Sequence, residues 1–437
     1  MPGRVRFDSL AEWLEWQQRL HPQAIEPGLA RIARVAGRTG WSPPRCPVLT
    51  VGGTNGKGSC VALLDAMLRA GGYRVGTFTS PHLIEYVERV RIQNRPVAAT
   101  SLIVAFERIT EALGSDTLTF FEFNTIAALL IFETAALDAV ILEVGMGGRL
   151  DAVNIVDADV AVVVSVGIDH REWLGADVES IAIEKAGIFR AGRPAIYGGD
   201  DAPPQSLVEA ARARNATLRL RGRDFRTHEH ADGLWDLRFE RRAVSIDLAR
   251  LPPPALGGAA QLGNAATAIA ALLELQERLP LTRAAIIEGL DGVALPGRFQ
   301  RVADQLFEWV LDVAHNPAAA KVLAANLRRT RGQGRTIAVC AMLEDKDAGA
   351  VLTELVGCVD GWIAAATDGP RALSDVALAE RARAVGIDMH PGRTVSDAMR
   401  LAIRQSRGGD RIVVFGSFHT VGPALEFLAS RGLSTAP

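Results

Sequence analysis

The stretch Gly52-Gly-Thr-Asn-Gly-Lys-Gly-Ser59 constrains this chain more than any other part of it. It follows the short apolar run Val48–Val51 and opens an apolar-periodic segment, Cys60–Leu68. A glycine-rich turn between a buried strand and a helix aims backbone N–H groups and the helix N-terminus at one point, which makes an anion cradle. Gly56, Lys57, Gly58 and Ser59 would face a triphosphate there, Lys57 neutralising its charge and the Ser59 hydroxyl reaching a metal ion or phosphate oxygen. Gly58 intervenes between Lys57 and Ser59, so the strict phosphate-loop spacing is not met. A plain Gly-rich turn is the competing reading, and the strand-before, helix-after context favours nucleotide binding.

Apolar runs recur at Arg74–Thr79, Ala139–Val144, Val160–Val166 and Ala195–Tyr197, with helical patterns over Asn124–Ala136 and Val178–Ala186. Runs that are apolar on both faces and separated by helices indicate a parallel sheet buried on both sides. Thr217–Leu248 alternates polar and apolar residues, the pattern of antiparallel hairpins. Helical patterns return at Asn264–Leu275 and Arg283–Leu290, and Gly and Pro then punctuate Asp291–Arg298 as a linker. Strand-helix alternation restarts with Trp309–Val313, Thr336–Met342, Trp362–Ala366 and Arg411–Phe415. The expected architecture is α/β. A P-loop, nucleotide-binding domain over 1–294 carries a hairpin region near 217–248, and a smaller Rossmann-like domain over 295–437 closes over a cleft. The length of 437 residues fits two or three domains.

Composition narrows the partners. Lys and Arg number 48 against 50 Asp and Glu, a net charge of -2, so the basic excess of a nucleic-acid platform is missing. Cys46, Cys60, Cys340 and Cys358 lie far apart with no C-x-x-C pair, which argues against a disulfide framework or zinc ribbon. The most apolar stretch, Ile126–Val144, is broken by Glu133, Asp138 and Glu143 and does not read as a membrane span. Met1–Trp16 shows no apolar signal region. The expectation is a cytoplasmic, monomeric protein with neither nucleic-acid nor membrane partners.

Polar residues gather where strands end. Glu143 closes one apolar run in Glu143-Val-Gly-Met-Gly-Gly-Arg-Leu-Asp151, and a carboxylate near a phosphate loop commonly serves magnesium. Ser80-Pro-His and Ser165-Val-Gly-Ile-Asp-His170 follow two other strands, so Ser80, Glu143 and His170 can converge with Ser59 on one sheet edge. His170 alone would more often be a hydrogen-bonded structural residue. Lys185 sits in a helical pattern and reads by itself as a solvated face residue. Later in the chain, Asp312-Val-Ala-His315-Asn-Pro, Leu343-Glu-Asp-Lys-Asp347 and Gly416-Ser417-Phe-His419 form a second rim, although Asn316-Pro317 is also an ordinary helix start.

These segments, with Glu184-Lys-Ala-Gly-Ile188 and Leu295-Pro-Gly-Arg-Phe299, occur in the order found in dihydrofolate synthase/folylpolyglutamate synthase, the folate branch of the Mur ligases, and the chain resembles that family from about residue 25 to 420. Pro27, Arg171 and Ala260 depart from its pattern. The resemblance implies ATP and two magnesium ions, the metals held by Ser59, Ser80, Glu143 and His170, with Lys57 at the phosphates and Lys185 carbamylated. It implies ATP contacts from Asn264, Arg298 and Asp312, and places His315, Ser417 and His419 towards L-glutamate. Thr119-Phe120-Phe121-Glu122 and Leu150-Asp151-Ala152 resemble segments that contact dihydropteroate, which implies both activities rather than polyglutamylation of reduced folates alone. The implied chemistry is activation of a carboxylate as an acyl phosphate, followed by attack of the glutamate amine. A cell-wall peptide ligase of the Mur type and a nucleotide-dependent switch are the competing readings.

Overall fold

The computed structural model describes residues 6–200, 202–241, 244–369 and 371–435. The chain divides into two compact units. Met1–His82, Tyr86–Pro254 and Leu262–Val293 form the first; Leu83–Glu85, Ala255–Gln261 and Ala294–Pro437 form the second.

The first unit is built on β1 (Val48–Gly52), β2 (Val75–Phe78), β3 (Val90–Ile92), β4 (Arg95–Pro96), β5 (Ala139–Glu143), β6 (Val160–Val163), β7 (Pro194–Tyr197) and β8 (Thr217–Leu220). Their spatial order is β4-β3-β2-β5-β1-β6-β7-β8, parallel from β2 through β8. Every residue of β1, β2, β5 and β6 is buried, which is why these strands read as unbroken apolar runs rather than alternations. The β3–β4 hairpin has no such run. Its turn is Gln93-Asn94, both at positive φ (54° and 58°), the two-residue turn whose twist suits a hairpin.

Two sequence expectations shift. Thr217–Leu220 is not part of a hairpin but pairs in parallel with β7 as the sheet's edge. A half-exposed edge strand alternates polar and apolar residues just as a hairpin strand does. The antiparallel sheet that does form comprises β9 (Phe225–Glu229), β10 (Trp235–Arg241) and β11 (Val244–Leu251), with Phe225, Trp235, Leu237 and Phe239 buried on one face. The helix expected over Asn124–Ala136 runs instead over Phe120–Glu133. Thr119 and Glu122 form a capping box there: Glu122 N donates to Thr119 Oγ1 (3.3 Å), and Thr119 N donates to Glu122 Oε2 (2.8 Å).

The second unit holds β12 (Gln300–Ala303), β13 (Glu308–Asp312), β14 (Thr336–Cys340), β15 (Gly361–Ala366), β16 (His390–Thr394) and β17 (Arg411–Phe415), in the order β12-β13-β17-β14-β15-β16. All but β12 run parallel, and the carboxyl ends of β13, β17 and β14 are neighbours.

Candidate active site

In the order β2-β5-β1-β6, four parallel strands lie side by side, about 4.8 Å apart as strands in sheets do. Each delivers a predicted residue at its carboxyl end. Ser80 follows β2, Glu143 closes β5, the glycine-rich loop and Ser59 follow β1, and Asp169-His170 follow β6. Ser80 N donates to Glu143 Oε2 (3.3 Å). Glu143 is 5% exposed and Ser59 2% exposed, so both are buried beside the cradle.

The loop is held in shape from two sides. Thr54 Oγ1 donates to Gly167 O and accepts from Gly167 N, both at 3.0 Å. Ser165 Oγ donates to Asn55 O (2.9 Å) and accepts from Asn55 N (3.0 Å). Gly56 caps the Lys57–Ala70 helix at φ 87°, where a Cβ would stand 2.8 Å from Asn264 Oδ1 and 2.9 Å from Val164 Cγ1. Both the dihedral and the space therefore require glycine, and Asn264 is packed onto the cradle. Lys57 Nζ donates to Gly53 O (3.0 Å), which folds it back across the loop.

His170 adopts φ 50°, ψ 44° at the start of the Arg171–Leu174 helix. A non-glycine residue held there costs on the order of 1 kcal/mol, the kind of strain that gathers at functional sites. Its backbone N–H donates to Asp169 Oδ1 (2.9 Å), and its ring lies 4.0 Å from Asp169 Oδ2. Among the described residues no three His, Cys, Asp or Glu side chains form a metal site by themselves. A buried carboxylate, two serine hydroxyls and an imidazole along one sheet edge make a different donor set. Three of its four donors are hard oxygens, and beside a phosphate cradle the incomplete set fits a magnesium ion that takes its remaining ligands from nucleotide phosphates.

Lys185 is not a solvated face residue. It lies in the Val178–Ala186 helix, 3% exposed. Burial, and then the charge of Lys57, pull its ammonium down to about 7, against the opposing pull of Asp169 and Asp151. A buried lysine so placed holds much of its amine neutral at neutral pH.

A cavity of ≈ 320 Å³ opens beside this edge, within the first unit. Thr119, Phe121, Glu122, Leu150, Asp151 and Ala152 all line it, together with Ala24–Gly28, Met146, His170 and Trp173. Phe120 does not. Its ring packs edge-on to Tyr86 (6.1 Å between centroids) and carries the Arg89 guanidinium at 5.5 Å. Asp151 is a strut of the wall, accepting from Met146 N (2.9 Å) and Val153 N (3.1 Å). Burial raises its carboxyl to about 6 although those N–H bonds oppose the rise. Glu122 is held by Arg31, whose guanidinium donates to both carboxylate oxygens at 2.9–3.2 Å. Arg31, which acts through Glu122, and Trp173, which lines the cavity, were not singled out as site residues, and Met146 stood out only as part of the glycine-rich loop after Glu143.

In the second unit Asp312 and His315 follow from β13, and Ser417 and His419 from the adjacent β17. Asp312 is half-buried and accepts from Phe299 N (2.9 Å) and Ala314 N (2.8 Å); desolvation lifts its carboxyl, with Arg298 opposing. The Arg298 guanidinium also lies 5.3 Å over the Phe418 ring. His315 Nδ1 is 2.8 Å from Val313 O. Ser417 caps the Phe418–Ser430 helix through Thr420 N (3.1 Å), and Asn316 caps the Pro317–Arg329 helix.

The Mur ligase middle domain model matches residues 51–272, and the Mur ligase, glutamate ligase domain model matches 297–418. A dihydrofolate synthase/folylpolyglutamate synthase from Escherichia coli (strain K12) is 41% identical over 424 residues, covering 97% of this chain and 96% of that protein. Its counterpart from Haemophilus influenzae is 38% identical over 432 residues, covering 94% and 96%. Among solved structures, E. coli FolC in complex with DHPP and ADP superposes with a TM-score of 0.90 at 40% identity, covering 97% of this chain and 99% of that one. A bifunctional folylpolyglutamate synthase/dihydrofolate synthase with Mn, AMPPNP and L-glutamate bound gives 0.89 at 42% identity, covering 98% and 100%.

Proposed function

Because the chain belongs to the dihydrofolate synthase/folylpolyglutamate synthase family of Mur ligases, we propose that its residues divide the work of an ATP-dependent glutamate ligase as follows. The enzyme joins L-glutamate to dihydropteroate, giving dihydrofolate, and to the γ-carboxylate of reduced folates. In each case the acceptor carboxylate takes the γ-phosphoryl group of ATP to form an acyl phosphate and ADP. The glutamate amine then attacks the acyl carbon and phosphate leaves, so that one amide forms for each ATP cleaved.

The observation that carries this reading is the four-strand edge, where Ser80, Glu143, Ser59 and His170 follow neighbouring strands beside a rigid anion cradle. Gly56, Gly58 and the start of the Lys57–Ala70 helix hold the triphosphate with backbone N–H groups. Lys57 swings from Gly53 O to the phosphates and opposes the charge that builds during transfer. Ser59, Ser80, Glu143 and His170 would hold magnesium, two ions in all, and bound there it would supply further positive charge against the phosphate oxygens. Asn264 supports the loop and the nucleotide, and Arg298 and Asp312 are further ATP contacts. His315, Ser417 and His419 receive L-glutamate.

Lys185 is carbamylated: its neutral amine adds to CO₂, forming an N–C bond and releasing a proton. The buried anion so made sits beside Lys57 as a partner instead of a repelling cation. Support comes from its burial and from its amine's fall to about 7. The ≈ 320 Å³ cavity takes the pterin, lined by Thr119, Phe121, Glu122, Leu150, Asp151 and Ala152, with Phe120 backing the wall. On this reading the protein is a monomer acting on small molecules in the cytoplasm. Among the described residues no helix is long and apolar enough to cross a membrane.

The test is ADP release by the purified protein with Mg-ATP and L-glutamate. The acceptor is dihydropteroate, tetrahydrofolate or a muramyl nucleotide in turn, with product masses checked. Turnover with both pterins, each gaining one glutamate, is expected. Turnover with tetrahydrofolate alone would remove the pteroate role of Thr119–Glu122, and turnover with the muramyl nucleotide alone would refute the assignment.

A further inference from the structure

The wall of the pterin cavity formed by Ala24–Gly28 has no regular secondary structure of its own. What ties it to the rest of the unit is a continuous chain of polar contacts. His21 Nδ1 lies 2.7 Å from Thr117 Oγ1 and His21 Nε2 lies 2.7 Å from Glu26 Oε2. Glu26 Oε1 accepts from Arg31 Nη1 (2.5 Å), and Glu26 O accepts from Arg31 Nη2 (3.3 Å). Arg31 then reaches Glu122, whose Oε2 also accepts from Thr119 N. Two of the links, His21–Thr117 and Arg31–Glu122, join residues 96 and 91 apart in the chain, so no local turn could make them. The Arg31–Glu122 end is desolvated, with the two side chains 15% and 4% exposed, whereas Glu26 at the other end is 43% exposed.

We infer that Arg31 is a positioning residue for the pterin, latching the 24–28 segment over the cavity by bridging Glu26 to Glu122. Glu122 lines the cavity, yet its carboxylate is taken up by three N–H bonds at Oε2 and one at Oε1. Its work is therefore to hold the latch, and the surface it offers a ligand is the wall that the latch sets. Arg suits this place because its planar fork meets two carboxylates and a carbonyl at once, which a lysine's point charge does not do. The inference rests on the pterin occupying this cavity.

The latch makes a selective claim. A loosened wall weakens pterin binding while leaving the nucleotide cradle, 20 residues and more away in sequence and tied by its own bonds to Ser165 and Gly167, unaffected. Full-length wild type, Arg31→Ala, Arg31→Lys, Glu26→Gln and Trp173→Ala are compared by ADP release, varying dihydropteroate, ATP and L-glutamate separately. Arg31→Ala is expected to raise KM for dihydropteroate about tenfold or more with kcat within about threefold, since misplacement of a binding wall acts mainly on the ligand it shapes. KM for ATP and L-glutamate stay at wild-type values, Arg31→Lys falls between, and Glu26→Gln shows a smaller rise of the same kind. Should Arg31→Ala not fold, Arg31→Lys and Glu26→Gln decide, and both must raise the pterin KM alone. An unchanged pterin KM in these variants, or equal losses for all three substrates, overturns the latch. Trp173 stands at the cavity and is 44% exposed, outside the latch. An unchanged pterin KM in Trp173→Ala, with Arg31→Ala selectively impaired, overturns the placement of the pterin instead.

Discussion

Lys185→Met is expected to make the protein more stable and inactive. The unfolded lysine keeps its ordinary value of 10.5, whereas in the folded chain burial, then Lys57, bring it to about 7. A depressed lysine is one whose unfolded form binds more protons than its folded form between those two values. Stability therefore rises with pH across that window, and the cost is largest below it. At pH 7 that difference is about 4 kcal/mol against folding, and it fades as pH approaches 10.5. Methionine has nearly the same length and no charge to bury, so Lys185→Met regains most of this, several degrees in the midpoint of thermal unfolding for a unit of this size. The proposed carbamylation would give the wild type another route to the same relief. Scanning calorimetry in CO₂-free buffer at pH 7 and 9.5, then with added bicarbonate, reads all three effects. The variant should exceed wild type at pH 7, lose most of that margin at pH 9.5, and show no response to bicarbonate, while wild type gains stability from it. A variant less stable than wild type at pH 7, or a margin that does not shrink at high pH, would refute the argument from burial.

Glu143→Ala removes a buried carboxylate from the four-strand edge and should cut ligation by about a thousandfold, the several kcal/mol that a lost metal position is worth. Far-UV circular dichroism should stay at the wild-type value, and near-normal ADP release would sink the metal role. Gly56→Ala forces a Cβ against Asn264 and Val164 at φ 87°, at a cost of about 1–2 kcal/mol for the dihedral alone. Its KM for ATP should rise by about tenfold or more while the pterin KM holds; a pterin-selective effect would mean that the loop does not bind nucleotide.

How much of this was legible in the sequence depends on how far apart the cooperating residues lie. β1, β2, β5 and β6 were visible because burial on both faces leaves only apolar residues to read. Strand ends inherit that clarity, so Ser80, Glu143 and His170 could be placed on one edge before any coordinates. β12 and β16 were not visible: Gln300–Ala303 and His390–Thr394 sit at the sheet's edges with several exposed residues, and β16 even contains Pro391. Backbone pairing to a well-defined neighbour makes them strands regardless of composition. The cavity was half legible. Thr119–Glu122 and Leu150–Ala152 came from family resemblance, but neither Arg31 nor Trp173 carries a local signal, because a wall assembled from segments more than 90 residues apart has no sequence period.

Energetics mark the same place without any motif. Buried charges elsewhere are matched: Arg411 with Glu308 at 2.7 Å, Arg219 with Glu274 at 2.6 Å, Asp65 with Arg69 at 2.8 Å. Around the four-strand edge the matching fails in several ways at once. Lys185 is buried with the charge of Lys57 working against its own, Asp151 is buried with its carboxyl pushed up, and His170 holds a left-handed backbone. Each feature works against the folded state, and a chain selected for stability alone would lose them singly by substitution. Their concentration within one unit, between the cradle and the cavity, is what a site looks like when its charges are set to meet phosphates, a metal ion and a carboxylate that arrive only with the substrates.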